Sequence, residues 1–393
     1  MSYHLKSQRI LWLNIHLYLG LLLGLVLSIV GLTGSILVFY EELQEVLNHQ
    51  QIVMSTKHQE LSKPKPLDEM IAAAELIKPA GSRFFKIYYP RKEEIAYKLL
   101  YVVNQHQSNQ DGDSYYIFVN PYTSEVSGIQ LWHPAEGHWR RPLMSLIMQL
   151  HYCLLVDSFG VKLVGYISLL ALISVISGLY LWWPITGKFR KALHFRRKAS
   201  FKRFNYDLHT IAGVYSSLVL ILMLTSGIYF NLPDEMKTLL KPMIKFERPN
   251  AWEGMESEKL LSVSSSKFEN KQLTPGQIES IVEANYPEGN RWMMSAPTTA
   301  DGVYYIWKRK LTSLSKFIGY REFAVDQYSG NILKIYNSNS GAFWDILLDW
   351  QWPIHSGQAF GWVGRGLVFL SGLVLPILFF TGVIRWLQKK KVL

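Results

Sequence analysis

Four long apolar runs divide this chain of 393 residues and restrict the folds that it can adopt. The runs are Ile10 to Phe39, Val164 to Pro184, Ile211 to Leu232 and Leu367 to Ile384. Each has about 18 residues or more, enough for a helix to cross a hydrocarbon core about 30 Å thick. Buried helices of a soluble protein explain four such runs poorly. We therefore predict a membrane bundle of four transmembrane helices.

Basic residues beside these runs predict the orientation of the chain. The segment 185–208 holds eight Lys or Arg residues and a single acid, Asp207. The N-terminus carries Lys6 and Arg9, and the tail from Arg385 onwards adds three lysines. Basic residues that flank membrane helices stay in the cytoplasm, so we expect a bacterial inner-membrane protein with both termini cytoplasmic. The formal charge of +11 then needs no nucleic-acid partner.

Between the runs lie two long polar segments, which we predict to be periplasmic α+β domains. Each begins with a helix-like stretch, Leu67 to Ala74 or Thr274 to Val282, and Thr274 before Pro275 is a good helix N-cap. Alternating apolar residues then predict strands at 84–89, 96–103, 115–119, 304–308 and 320–325. The predicted order is a transmembrane helix (1–40), a first periplasmic domain (41–142), an edge helix with the second transmembrane helix (143–184), a basic cytoplasmic loop (185–208), a third transmembrane helix (209–232), a second periplasmic domain (233–354) and a fourth transmembrane helix with a basic tail (355–393).

The two halves of the chain also match each other. His16 and His209 are each followed by glycine after 4 and after 18 residues. His151 and His355 are each followed by glycine after 9 and 27 residues and by tryptophan after 31. The pattern predicts a tandem internal repeat in parallel orientation, as in some transporters.

Only these four of the eleven histidines recur at matched positions. An ionisable residue in a membrane helix indicates function by default, although a histidine can also serve helix packing. His16 and His209 should lie towards the cytoplasm, and His151 and His355 towards the outside. Two imidazoles at one depth suit the two sides of a haem iron, whereas zinc takes three or four clustered ligands. We therefore predict two haem groups, each held by one pair.

The length of the second apolar segment raises a geometric difficulty. From His151 to Gly178 a straight helix would measure about 40 Å, which exceeds the thickness of the hydrocarbon core. Either the helix breaks near Asp157 to Gly160, or His151 lies above the bilayer surface. The same alternatives apply to His355 and Gly364.

Other residues are weaker candidates. Glycines near the histidines allow a flat macrocycle to approach, but small residues also simply let helices pack; they are Gly20, Gly24, Gly31, Gly213, Gly160, Gly361 and Gly364. Arg365 either pairs with a haem carboxylate or anchors the helix at the membrane interface.

Two further groups and the single cysteine precede the second apolar run. Arg140 and Arg141 are candidates for anion binding, and the cluster Trp132, His133, His138 and Trp139 is either a substrate site or an interfacial aromatic belt. The single cysteine, Cys153, receives no role, and covalent c-type haem is excluded because the chain has no Cys-x-x-Cys-His motif.

These features together resemble the PepSY-associated transmembrane proteins, a family that includes iron-uptake membrane proteins and inner-membrane ferric-siderophore reductases. The resemblance covers nearly the whole chain and rests on four signatures. They are His16 with Gly20 and Thr33-Gly34, His151 with Ser177 to Pro184, His209 with Gly213 and Ser226-Gly227, and His355 with Thr381 to Trp386.

The resemblance implies a di-haem b oxidoreductase that reduces a periplasmic ferric siderophore and releases Fe²⁺. It implies His16 and His209 as ligands of one haem and His151 and His355 as ligands of the other. The electron donor is expected to be membrane quinol or a cytoplasmic flavoprotein, and no residue is assigned to catalysis. The alternatives are a membrane scaffold whose PepSY-like domains bind a partner, and a transporter, which the repeat favours.

Overall fold

The structure is a computed structural model, and it describes residues 3–54, 63–103, 112–183, 187, 193, 195, 200–245, 260–262, 271–309, 319–338 and 340–390. Half of the residues of the basic loop 185–208 therefore lie outside the described residues. The chain divides into two compact units. The helical unit comprises 1–39, 147–244 and 351–393, and the sheet unit comprises 40–146 and 245–350.

Among the described residues, four helices of the helical unit are long and apolar enough to cross a membrane, as the sequence predicts. They are α1 (Tyr3–Leu37), α6 (Asp157–Trp182), α7 (Phe201–Asn231) and α12 (Gly361–Lys389). Shorter helices join them: α5 (Leu143–Cys153), α8 (Pro233–Leu240) and α11 (Gln351–His355).

The four long helices form a bundle in which α1 and α7 lie on one diagonal and α6 and α12 on the other. Each helix of one diagonal packs against both helices of the other. Small residues allow close approach between α1 and α12, where a Cβ built on Gly31 would lie 2.7 Å from the carbonyl oxygen of Gly372. This explains part of the glycine content by helix packing alone.

Both segments that follow the second and fourth repeat histidines contain a break, so the first of the two geometric alternatives is confirmed. Helix α5 ends at Cys153 and α6 begins at Asp157, while α11 ends at His355 and α12 begins at Gly361. The breaks need left-handed backbone, with φ of +46° at Asp157 and +57° at Gly361. Each histidine therefore lies on its own short helix.

The sheet unit contains one antiparallel sheet of eight strands in the order β4-β3-β2-β1-β5-β6-β7-β8. The strands are β1 (Ser82–Tyr88), β2 (Tyr97–Val103), β3 (Ser114–Val119), β4 (Val126–His133), β5 (Asn290–Ser295), β6 (Val303–Arg309), β7 (Tyr320–Asp326) and β8 (Ile332–Asn337). The helices of this unit are α2 (Tyr40–Leu47), α3 (His49–Ile52), α4 (Leu67–Glu75), α9 (Pro275–Asn285) and α10 (Phe343–Asp349).

The two segments thus do not form separate domains, which is where the structure differs from the predicted division at 41–142 and 233–354. Strand β1 pairs with β5 through Lys86 to Tyr88 and Met293 to Ser295. This pairing joins two four-stranded meanders and removes one of the two open edges that each would have alone. Helices α4 and α9 cover one continuous apolar core.

The predicted helix start at Thr274 is confirmed. The Thr274 hydroxyl accepts a hydrogen bond from the Gln277 backbone N–H, and the Gln277 side chain accepts one from the Thr274 backbone N–H. The Thr274 hydroxyl also donates to Asp68 in α4, whose carboxylate accepts from the Gly276 N–H. One carboxylate therefore ties together the starts of α4 and α9.

Candidate functional site

The first histidine pair lies across the diagonal of the bundle. His16 is on α1 and His209 is on α7, and their ring centres are 6.2 Å apart. The two ring planes are nearly perpendicular, at 84°. The structure thus brings together two residues that are 193 positions apart in the sequence.

The second pair lies on the short helices beside the breaks. His151 is in the last turn of α5, and His355 is the last residue of α11. Their ring centres are 6.0 Å apart, and the planes meet at 60°. All four histidines that the sequence singles out therefore meet in two pairs, in the pairing that was predicted.

The separation within each pair suits an ion shared between two imidazoles. Two imidazoles that bind one metal ion from opposite sides, with metal–nitrogen bonds of about 2 Å, have ring centres about 6 Å apart. The observed 6.2 Å and 6.0 Å agree with this separation. Among the described residues no cluster of three or more His, Cys, Asp or Glu side chains exists that could hold a metal ion. Each pair thus offers two imidazole nitrogens.

The Nδ1 atoms of His16 and His151 are both held by a backbone carbonyl of a neighbouring helix. His16 Nδ1 lies 2.9 Å from the Ser174 carbonyl oxygen, and His151 Nδ1 lies 2.9 Å from that of Val30. A carbonyl can only accept, so both Nδ1 atoms carry the proton. The hydroxyls of Ser177 and Thr33 lie slightly farther away, at 3.2 Å and 3.3 Å.

His209 and His355 are held in an equivalent way by a hydroxyl group together with a backbone carbonyl, that of Leu378 or of Met223. His209 Nδ1 lies 2.8 Å from Thr381 Oγ1, and His355 Nδ1 lies 2.8 Å from Ser226 Oγ. Each hydroxyl already donates its own hydrogen to a backbone carbonyl of its helix, that of Ile377 or of Leu222. The hydroxyls must therefore accept from Nδ1–H.

Protonation at Nδ1 leaves the Nε2 lone pair of each imidazole unprotonated and available to a metal. Within the described part of the chain, no protein group makes a hydrogen bond to any of these Nε2 atoms. The same hydroxyl positions, 33 with 226 and 177 with 381, are equivalent in the predicted repeat. This is the arrangement in which metal-bound histidines are normally oriented by their outer hydrogen-bond partners.

A glycine follows each of these hydroxyl residues, and each glycine makes room for an imidazole. A Cβ built on Gly34 would lie 2.8 Å from Cε1 of His151, and one on Gly178 would lie 2.9 Å from Cε1 of His16. Gly382 and Gly227 face His209 and His355 at 3.5 Å and 3.8 Å. The hydroxyl–glycine dipeptide therefore both orients and accommodates a histidine of another helix.

The role of these hydroxyl residues was not predicted from the sequence. In the sequence they are visible only as parts of the predicted repeat and of the family signatures, at Thr33-Gly34, Ser226-Gly227, Ser177-Gly178 and Thr381-Gly382. Two facts could have revealed their role. Each hydroxyl residue follows a histidine at the same offset in both halves of the chain, and each histidine needs an acceptor for its Nδ1–H.

A cavity of about 460 Å³ surrounds the His16–His209 pair. Its walls are mostly apolar, and on α1 they extend from Arg9 to Leu27. Gly20 and Gly213, at equivalent positions of the predicted repeat, both line it; a Cβ on Gly20 would meet nothing within 4 Å. Arg9 and Arg385 are also among the lining residues. The size falls in the range of small-molecule and cofactor sites.

The two pairs lie at different levels of the bundle. Val30, whose carbonyl binds His151, is fourteen residues after His16 on α1. This corresponds to about 21 Å along the helix, which is most of a hydrocarbon core of about 30 Å. One pair therefore lies near each end of the membrane-spanning part.

Arg365 contacts the end of α1. Its Nη2 and Nε donate to the Val38 carbonyl at 2.8 Å and 3.2 Å, and its guanidinium lies over the rings of Trp362 and Phe39. A cation at the C-terminal end of a helix compensates its exposed carbonyl groups and its dipole. The structure thus shows a role in holding α1, and the assignment of Arg365 to a haem carboxylate stays a prediction.

The remaining candidates do not converge on one site. Arg141 contacts His133, Arg140 pairs with Asp113, and Trp132 packs against Tyr116. Trp139 is 86% exposed. Cys153 is buried, and its thiol donates to Gln149, so it makes an ordinary helix contact.

Fold and site together define a multi-pass membrane protein with two facing pairs of Nδ1-bonded histidines. A family model described as the PepSY-associated TM region matches residues 13–389. The chain therefore belongs to this family, as the resemblance indicated. No curated protein matches the chain.

Proposed function

We propose that this protein is a di-haem b oxidoreductase of the bacterial inner membrane, which passes electrons across the bilayer to a ferric chelate outside. The observation that carries the proposal is the state of the four histidines. The Nδ1 atom of each is hydrogen-bonded to a neighbouring helix. The ring centres within each pair lie at about the distance expected for two imidazoles that bind one metal ion.

The residues of the first site fit a haem group in several respects. The axial nitrogens come from His16 and His209, and the apolar cavity between them supplies a wall for a flat macrocycle. Gly20 and Gly213 leave space beside the pair. Arg9, which also donates to the Leu181 carbonyl, and Arg385, which lies over the Tyr206 ring, would pair with the two carboxylates. Bound haem would supply a one-electron carrier at this level.

The protein groups around each pair hold the ligands rather than react. The carbonyls of Ser174 and Val30 and the hydroxyls of Thr381 and Ser226 keep the imidazoles in one tautomer and one orientation. By accepting from Nδ1–H they also make the imidazoles stronger electron donors to a metal. The apolar helix faces exclude water from the path between the two levels.

The direction of transfer follows from the predicted orientation. We place the end of the bundle that carries Arg9, Lys202 and Arg385 in the cytoplasm, since basic flanks remain inside. The His16–His209 site then receives electrons, and the His151–His355 site delivers them outside. The two tandem repeats, each with one histidine at either level, account for this symmetry.

The acceptor class rests on the family resemblance and on iron chemistry. A ferric siderophore holds Fe³⁺ through hard oxygen ligands, and one electron converts it to Fe²⁺, which these ligands hold weakly. A quinol that is oxidised to quinone releases two protons and two electrons, so it reduces two ferric ions. A reduced cytoplasmic flavoprotein is an equivalent donor.

Electron transfer to such an acceptor is tested with purified protein in proteoliposomes. The protein is reduced with dithionite, excess reductant is removed, and a ferric trihydroxamate chelate is added outside. We expect the haem absorbance to return to the oxidised form while a ferrous chelator traps Fe²⁺. The gallium(III) chelate, which has the same shape and cannot be reduced, is the control and should leave the haem reduced. Reoxidation at the same rate by both chelates would contradict the assignment of the acceptor.

A further inference from the structure

Two buried asparagines on α7 lie beside the two histidine pairs. Asn205 and Asn231 are 2% and 8% exposed. Asn205 donates to a backbone carbonyl of α12, the helix that orients His209. Asn231 donates to backbone carbonyls of α5, the helix that carries His151, and of α6. The two asparagines lie near opposite ends of α7, one at the level of each pair.

Asn205 contacts the residue that orients His209. Its Nδ2 donates to the Thr381 carbonyl at 2.9 Å, and the Thr381 hydroxyl accepts from His209 Nδ1. Thr381 lies in the interior of α12, where carbonyls are already bonded within the helix. The bond from Asn205 is therefore not needed to satisfy that carbonyl, and its effect is to fix α7 against α12 at this hydroxyl.

Asn231 bridges the break that follows His151. Its Nδ2 donates to the Tyr152 carbonyl at 2.9 Å and to the Val161 carbonyl at 3.0 Å. Tyr152 is next to His151 at the end of α5, and Val161 is in α6, so a single amide spans both sides of the break. Between them the backbone is strained, with φ of +53° at Leu154 and +61° at Leu155.

The corresponding positions in the first half of the chain carry no amide. The residues 193 positions earlier are Trp12 and Val38, both apolar. At Val38 the contact between helices is made from the other side, because Arg365 on α12 donates to the Val38 carbonyl. Positions 161 and 365 are also equivalent in the predicted repeat. In one half the side chain of Asn231 donates to the carbonyl of Val161, and in the other half the side chain of Arg365 donates to the carbonyl of Val38. The packing of these helices therefore does not itself require an asparagine.

We infer that Asn205 and Asn231 are positioning residues, one for each histidine pair. Asn205 holds the Thr381 hydroxyl against His209, and Asn231 holds α5, and with it His151, against α6 and α7. Neither amide contacts a ligand site directly. An effect of these asparagines on haem binding rests on the proposed function. Their effect on the position and tautomer of the imidazoles does not.

The inference is tested in two backgrounds, each retaining one pair: His16→Ala/His209→Ala and His151→Ala/His355→Ala. Asn231→Ala should act where His151 and His355 remain, and Asn205→Ala where His16 and His209 remain. In the affected background the six-coordinate low-spin spectrum should lose intensity to a five-coordinate form, and the reduced protein should bind CO. Ser216→Ala, which removes a hydroxyl bonded to the Ala212 carbonyl of the same helix, is the matched control.

Specificity for one pair distinguishes positioning from general loosening. With both pairs present, the undisturbed site also reports whether each variant is folded. Equal perturbation of both sites by either asparagine variant would overturn the inference, as would spectra and CO binding identical to those of the Ser216→Ala control.

A measurement without haem separates this inference from the proposed function. Nitrogen-15 NMR of histidine-labelled protein reports which ring nitrogen carries the proton. The parent should show His209 and His151 as single Nδ1-protonated tautomers, with that preference lost for His209 in Asn205→Ala and for His151 in Asn231→Ala. Unchanged tautomers would overturn the positioning role. Changed tautomers in a protein that binds no haem would support it and contradict the proposed function.

Discussion

The Nδ1 atom of His209 lies 2.8 Å from the Thr381 hydroxyl, and that hydroxyl donates its hydrogen to the Ile377 carbonyl. The proton between the two side chains therefore belongs to His209. A hydrogen bond of this kind makes the imidazole a stronger donor to a metal and so favours the oxidised iron.

Replacing Thr381 by valine should raise the midpoint potential of the His16–His209 haem, because valine has the same shape and accepts no hydrogen bond. We expect a shift on the order of 60 mV, equivalent to tenfold in the one-electron equilibrium. Redox titration followed by absorbance measures it. Thr33→Val should cause a smaller shift at the other site, because the Thr33 hydroxyl lies 3.3 Å from His151 Nδ1, compared with 2.8 Å between the Thr381 hydroxyl and His209 Nδ1. Equal shifts in both variants would contradict this account.

Alanine substitutions of the four imidazole-facing glycines should have unequal effects. In Gly34→Ala and Gly178→Ala the new methyl group would lie under 3 Å from an imidazole carbon, so the histidine must move and its haem should be lost. In Gly382→Ala and Gly227→Ala the distances are 3.5 Å and 3.8 Å to the imidazole, so haem should remain. The haem content of the purified variants measures this. Loss of haem in all four would instead show that the helices tolerate no added atom anywhere.

The angles between the imidazole planes predict two distinguishable low-spin ferric signals in electron paramagnetic resonance. Nearly perpendicular planes keep two iron d orbitals close in energy, and this gives a broad signal at high g. The planes meet at 84° in the His16–His209 pair and at 60° in the other pair. The more extreme signal should therefore disappear in His16→Ala/His209→Ala and survive in His151→Ala/His355→Ala. The reverse assignment would contradict the ring geometry.

The capping interaction between α4 and α9 gives a prediction for the sheet unit. Thr274→Ala removes the N-cap of α9 and its bond to Asp68, and it should cost about 1 kcal/mol of local stability. Amide exchange in 275–285 should then be roughly fivefold faster by mass spectrometry. Ser280→Ala, which removes a hydroxyl bonded within α9, should leave the rate near that of the parent. Equal acceleration in both variants would assign the effect to helix propensity.

The sequence predicts the four membrane helices and the two histidine pairs because both depend on local features. Long apolar runs fix the helices, and repeated offsets fix which histidines share a level. The contact between Thr381 and His209, by contrast, depends on how α7 and α12 rotate against each other, and no local pattern determines this rotation.

The sheet shows the same limit. Strand β2 alternates between buried and half-buried residues, and β3 is rich in aromatic and β-branched residues, whereas β5, which contains two methionines, has little strand propensity. Its pairing with β1 joins segments about two hundred residues apart, so the single sheet could not be anticipated from either segment alone. The signatures of the four membrane helices were sufficient to indicate the family, which the match over residues 13–389 confirms.

The central claim is that each histidine pair holds one haem, and a haem count on purified variants tests it most directly. The pyridine haemochrome assay should give two haem b groups per chain in the parent protein and in the control His138→Ala. It should give one in His16→Ala/His209→Ala, one in His151→Ala/His355→Ala, and none when all four histidines are replaced. A colourless parent protein, or full haem content in the variant that lacks all four, would contradict the account.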